Sequence, residues 1–141
     1  MGRKNISQKK RQKVLERSNR KCEYCLCLID FIPDPFTIEH IIALSKGGTD
    51  ELDNLAIACF GCNLYKQDKI TIFDTITEQN IRLYNPRIED WNTHFSWNEN
   101  FTEVIGITAI GKVTVIQLKL NRIGLINIRK LLVMYGEHPP S

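Results

Sequence analysis

Two pairs of cysteines constrain this chain more than any other feature of its 141 residues. Cys22-Glu23-Tyr24-Cys25 and Cys59-Phe60-Gly61-Cys62 each place two thiols three positions apart, with 33 residues between the pairs. A turn of this spacing aims two thiolates at one cation, and two such turns complete a closed tetrahedral shell, the arrangement of a structural zinc site. A disulfide framework fits less well, because no apolar signal-peptide core follows the basic start Met1-Gly2-Arg3-Lys4-Asn5. That start predicts a cytoplasmic location. A thiol redox centre calls for a thioredoxin-like βαβ pattern, and neither pair has one around it. Cys27 is left over. It reads as a small packing residue, with replacement of Cys25 as a ligand the alternative.

Pattern and punctuation lay out the rest of the first half. Residues 7–19 predict a helix with Ser7 as N-cap and Val14 and Leu15 as its inner residues. Pro33 and Pro35 break the chain after the first cysteine turn. Phe36-Thr37-Ile38-Glu39-His40-Ile41 is β-branched and aromatic, and predicts a strand. Residues 43–54 predict a loop around Lys46-Gly47-Gly48-Thr49-Asp50, whose glycines permit positive φ. Leu55-Ala56-Ile57-Ala58 predicts a second strand running into the second cysteine turn and a helix from Phe60 to about Lys69.

Several polar residues fall at fixed places in this unit. Glu39-His40 ends the first strand, Asn54 closes the loop fourteen positions after His40, and Asn63 opens the helix nine positions later. The run Cys22-x-x-Cys25, Glu39-His40-Ile41, Gly47-Gly48, Asn54-Leu55, Ala58-Cys59-x-x-Cys62-Asn63-x-x-Lys66 resembles the HNH endonuclease family. The resemblance covers residues 20–69, about a third of the chain. It implies an α+β protein with a ββα-metal core built around the four-cysteine zinc site. His40 takes the place of the first motif histidine, Asn54 that of the motif asparagine and Asn63 the third motif position. Position 63 is Asn where the family name implies His, and position 39 is Glu where Asp is common.

Chemistry gives each residue a reason. Phosphodiester hydrolysis needs an activated water and stabilisation of charge at phosphorus and on the leaving oxygen. An imidazole titrates near neutrality, so His40 can accept a proton from water. Glu39 and Asn63 offer oxygen ligands for a hard divalent cation, Mg²⁺ or Mn²⁺. Neighbouring strand residues point to opposite faces, so Glu39 and His40 share a groove only at a strand end or a local twist. Asn54 reads as an orienter, holding either the loop backbone or the His40 ring. The alternative function is a degenerate member that binds nucleic acid without cutting it.

Charge points to the same partner. The net charge of +3 divides into +8 on residues 1–21 and −5 on the remainder. A basic arm on an acidic body predicts contact with a polyanion, and the resemblance implies that this polyanion is double-stranded DNA. Lys9, Lys10, Arg11, Lys13, Lys46 and Lys66 are the candidate phosphate contacts. No stretch is long and apolar enough to span a membrane.

The chain divides into residues 1–69, the basic helix and zinc-bound core, and residues 70–141, a mostly helical extension. Thr71-Ile72-Phe73-Asp74 reads as the start of a short helix, and Trp91 to Trp97 as a half-buried strand. Helices are expected over Thr108–Leu120 and Leu125–Tyr135, the latter with a basic patch at Arg129-Lys130, and the tail from Glu137 is expected to fray. With two tryptophans nearby, His94 is expected to pack or to make a structural hydrogen bond. The elements Trp-x-x-His-Phe-x-Trp and Leu120-Asn121-Arg122 resemble the C-terminal extension of some stand-alone bacterial HNH proteins.

Overall fold

The computed structural model describes residues 6–140. The first helix, α1 (Gln8–Arg17), starts where Ser7 accepts a hydrogen bond from the Lys10 amide, a side-chain N-cap. Its Val14 is fully buried with Ile29, Leu55 and Ile57, so α1 lies against the second strand. β1 (Thr37–His40) and β2 (Leu55–Ala58) pair antiparallel, with Glu39 opposite Ala56 and His40 opposite Leu55. α2 (Phe60–Lys66) follows at once, capped by the Cys59 sulfur, which accepts from the Cys62 amide. This is the ββα order expected from the sequence, with β1 and α2 shorter than their predicted ranges.

The loop between β1 and β2 is built from two 3-10 turns, Leu44–Lys46 and Leu52–Asn54. Gly47 ends the first at φ +91°, where a side chain would be strained. Gly48 is required for a different reason: a Cβ there would lie 1.7 Å from the Ile42 carbonyl oxygen. The two glycines thus do different jobs, only one of them a positive-φ job.

The second half departs further from expectation. Thr71–Asp74 is a strand, β3, not the start of a helix. It pairs antiparallel with β4 (Gln79–Arg82), and Ile72 faces Ile81. Trp91 to Trp97 is a short helix, α3 (Trp91–His94), and then a strand, β5 (Phe95–Trp97), which pairs with β6 (Val104–Gly106). α4 (Ala109–Gln117) and α5 (Ile123–Met134) complete the chain. The extension therefore mixes helices with two hairpins. His94 is buried, its Nε2 at 2.7 Å from Glu89 and its Nδ1 at 2.6 Å from Thr108.

Two surface readings are corrected. Arg129 is not part of a basic patch: it is buried, donates to the Thr102 and Leu120 carbonyls, and lies over Trp97. The tail does not fray through residue 140, because His138 is buried on Trp97 and its ring nitrogen meets the Phe101 carbonyl at 2.9 Å.

The main buried cluster joins the two halves. It holds the four paired cysteines and Tyr24 with Tyr84, Trp91, Phe95, Leu118, Leu120 and Leu125. Trp91 donates its indole N–H to the Tyr24 carbonyl at 2.9 Å, tying the extension to the first cysteine turn. No helix among the described residues is long and apolar enough to cross a membrane.

Candidate active site

The four cysteines meet. The sulfurs of Cys22, Cys25, Cys59 and Cys62 all lie within 4.8 Å of one another, and all four residues are buried. Zinc–sulfur bonds of about 2.3 Å in a tetrahedron set the sulfurs about 3.8 Å apart. Cys25 Sγ and Cys59 Sγ stand at 3.8 Å, so the donor set fits a tetrahedral cation. Hydrogen bonds from Cys22, Cys25 and Cys62 pull the Cys59 thiol well below its usual range, while burial holds Cys22 above it. A thiolate already surrounded by thiols is one that a cation can claim. Cys27 stays outside this set. Burial pushes its thiol up to about 12, which makes it an inert packing residue.

Strand alternation separates Glu39 from His40. Glu39 turns inward, where Tyr24 donates its phenol O–H to Oε1 and Lys66 Nζ stands 2.6 Å from Oε2. The lysine approaches at an angle that leaves Oε2 without a well-directed hydrogen bond. Burial raises the Glu39 pKa, and the Lys66 charge opposes that shift. Glu39 therefore offers a carboxylate that already has a cation beside it.

Lys66 is corrected as a phosphate contact. It is 2% exposed, donates to the Ile41 carbonyl at 2.9 Å and neutralises Glu39. Lys66→Met is accordingly expected to cost about 3–5 kcal/mol, the scale for stripping one partner from a buried ion pair. A surface phosphate contact would leave stability within about 0.5 kcal/mol. The shift in urea midpoint separates the two.

His40 turns the other way, into a groove of about 310 Å³ that it shares with Asn63, Ser45, Gln67, Asp68 and part of Glu39. Its Nε2 stands 2.6 Å from Asp50 Oδ1. A carboxylate at Nε2 fixes the tautomer and leaves Nδ1 as the basic nitrogen. The peptide of Asp50 is held in turn, since Lys10 Nζ donates to its carbonyl at 2.8 Å. Lys10 thus secures the loop behind His40, a structural task beside any binding of phosphate.

Asn54 holds the loop from within. Its amide oxygen accepts from the Ile42 N–H, and its amide nitrogen donates to the Ile42 and Thr49 carbonyls. Those three bonds fix the two ends of the loop that carries Asp50. Of the remaining cations, Lys9, Arg11, Lys13 and Lys46 are on or near the surface. Lys46 lies 3.8 Å from Asp68 at the groove.

Sequence reasoning passed over Asp50, Tyr24 and the groove residues Gln67 and Asp68. Asp50 carried a faint signal, an acid directly after the Gly47-Gly48-Thr49 turn. Tyr24 carried none, because its partner Glu39 comes from another segment.

Residues 22–69 match the family model described as HNH endonuclease. No curated protein and no solved structure matches the chain. β1, β2, α2 and the four cysteines all lie inside the matched span, so the likeness to the HNH endonuclease family rests on residues 22–69, about a third of the chain.

Proposed function

We propose that the chain hydrolyses phosphodiester bonds in double-stranded DNA, with His40 as general base. The observation that carries this reading is the His40–Asp50 pair at 2.6 Å, set in an open groove beside Asn63. A pure binding module has no use for an oriented imidazole there. Asp50 holds the ring by Nε2, and Nδ1 takes the proton of the attacking water. Asp50 also stabilises the imidazolium that results. Asn63 and Glu39 both line the groove, but the Glu39 carboxylate turns inward to Tyr24 and Lys66, so Asn63 is the oxygen donor better placed to hold Mg²⁺ or Mn²⁺. A divalent cation bound there supplies the charge that stabilises the phosphate and the leaving 3′ oxygen. Glu39 would join Asn63 as a ligand only by giving up part of its contact with Lys66, which makes Asn63 the less encumbered of the two. By the family resemblance the products carry 5′-phosphate and 3′-hydroxyl ends. Purified protein incubated with plasmid DNA and Mg²⁺ or Mn²⁺ tests the reading: relaxed or linear plasmid is expected, and intact plasmid with every ion rejects it.

α1 supports the DNA-binding part of this proposal. It carries Lys9, Arg11 and Lys13 toward solvent, and Lys10 on the same helix links it to His40 by way of Asp50. Replacing Lys9, Arg11 and Lys13 by Gln is expected to weaken binding. The salt dependence should flatten by about 0.9 in log–log slope for each phosphate that the helix no longer neutralises. The substitutions suit the test better than removal of the arm, because α1 also buries Val14 against β2. An unchanged slope in a fluorescence-anisotropy titration means that this face does not touch phosphate.

A further inference from the structure

The four-cysteine site has a fifth partner from the far end of the chain. Arg122, at the start of α5, places Nη2 3.4 Å from Cys59 Sγ and 3.7 Å from Cys62 Sγ, with Nη1 3.7 Å from Cys62 Sγ. The guanidinium is fixed from behind. Nη1 donates to the Leu118 and Lys119 carbonyls, and the group lies over the Tyr65 ring. Gly61, between the two sulfurs in sequence, makes room for it: a Cβ there would meet Arg122 Nη2 at 2.5 Å. A cleft of about 660 Å³ opens at this spot, and Cys59, Gly61 and Arg122 all line it. The cleft therefore leads to a metal-ligand sulfur, and Arg122 stands over that sulfur.

We propose that Arg122 is an outer-sphere residue of the four-cysteine metal site, which donates N–H···S hydrogen bonds to Cys59 and Cys62 and shields them from electrophiles entering by the cleft. The proposal rests on the reading of that site as a zinc site. Four thiolates on one divalent cation carry a net charge of about −2, and burial makes that charge costly unless a cation stands close. A guanidinium is the side chain suited to the task, because its planar fork reaches two acceptors and its charge persists at every relevant pH. Donating to a thiolate draws electron density from sulfur, which lowers its nucleophilicity toward an incoming electrophile, and the fixed guanidinium also holds the ligand in place. The extension is thereby part of the metal site, although it contributes no ligand.

Arg122→Gln and Gly61→Ala test this from opposite sides, the second by pushing the guanidinium off the sulfurs while leaving Arg122 in the chain. Lys119→Gln is the control, since Lys119 also lies over Tyr65, with Nζ 4.6 Å from the ring centroid, and stands outside the set of groups bonded to sulfur. Zinc content, release of zinc on adding N-ethylmaleimide, and the sulfur-to-metal charge-transfer band of Co²⁺-substituted protein are measured on wild type and all three variants. Both site variants are expected to retain zinc, to release it about tenfold faster, the low end for loss of an outer-shell partner, and to shift the cobalt band to lower energy. Lys119→Gln is expected to match wild type. If Arg122→Gln does not fold, Gly61→Ala decides alone. Wild-type release and an unmoved band in folded, zinc-loaded variants overturn the role of Arg122. A folded wild-type protein that holds no zinc overturns the metal reading beneath it, and the two failures are told apart by the zinc content.

Discussion

His40→Ala is expected to lower DNA cleavage by about a hundredfold or more, the usual scale for a lost general base, while folding, zinc content and DNA affinity stay near wild type. The His40 side chain is 8% exposed and its polar partner is Asp50 of the loop, outside both hydrophobic clusters, so the circular-dichroism spectrum and melting of the variant are measured beside its activity. Asn63→Ala is expected to behave differently, because in the proposed mechanism it removes an oxygen offered to the metal: its activity should be partly restored by raising Mg²⁺ or Mn²⁺. Extra metal does nothing for His40→Ala if His40 moves a proton and holds no ion. Glu39→Ala is a poorer probe than the sequence suggests, since it strands Lys66 in the interior. Asp50→Asn belongs beside His40→Ala. It keeps the shape of the pair but removes the carboxylate charge beside the ring, so under the proposed mechanism cleavage is expected to fall. Wild-type cleavage by His40→Ala sinks the mechanism, and rescue of that variant by metal turns His40 into a ligand.

What the sequence reveals and what it hides have physical causes. The two cysteine turns, β1, β2 and α2 are legible because each is a local pattern: fixed ligand spacing, a β-branched run, a helix opening on a cap. Asn54 is recognisable from its place at the loop end, but its choice of backbone over the His40 ring depends on three carbonyl and amide positions that only the folded loop supplies. Lys66 is misleading because an interior lysine and a surface lysine look alike in sequence. Its burial follows from Glu39, whose inward turn the period-two alternation of a strand demands but whose partner lies 27 positions on. The β3–β4 hairpin escapes a helical reading of its sequence although the alternation is present. Ile72 and Ile81 are half-buried while Thr71 and Phe73 are exposed, and the Asp74 side chain secures the turn by accepting from the Ile76 amide and the Thr77 hydroxyl. Four-residue strands are too short for that signal to outweigh a helix. Arg129 resembles Lys66 in this respect: its burial requires the Thr102 and Leu120 carbonyls and the Trp97 face to converge from three other segments.

Zinc removal is expected to unfold more than the cysteine turns. Apparent binding energies of structural zinc sites run to about 10–16 kcal/mol, and a domain of this size is stable by about 5–15 kcal/mol in all. The four clustered cysteines sit inside the main buried cluster, which also contains Tyr84, Trp91, Phe95 and Leu118. An ion lost there removes the bond that joins the two cysteine turns and loosens the Tyr24 turn, whose carbonyl receives the Trp91 indole N–H. Chelation by a strong zinc ligand is therefore expected to move tryptophan emission to the red and to abolish cooperative thermal unfolding. Cys59→Ser is expected to do the same without chelator, as the variant cannot close the tetrahedron. Cys27→Ser separates ligand from bystander. It also alters a buried sulfur, yet it is expected to keep about one zinc per chain and to cost only about 1 kcal/mol, the middle of the range for ordinary substitutions. A chelated protein with wild-type emission and melting contradicts the site as the crosslink of this fold, and zinc loss in Cys27→Ser moves a ligand from Cys25 to Cys27.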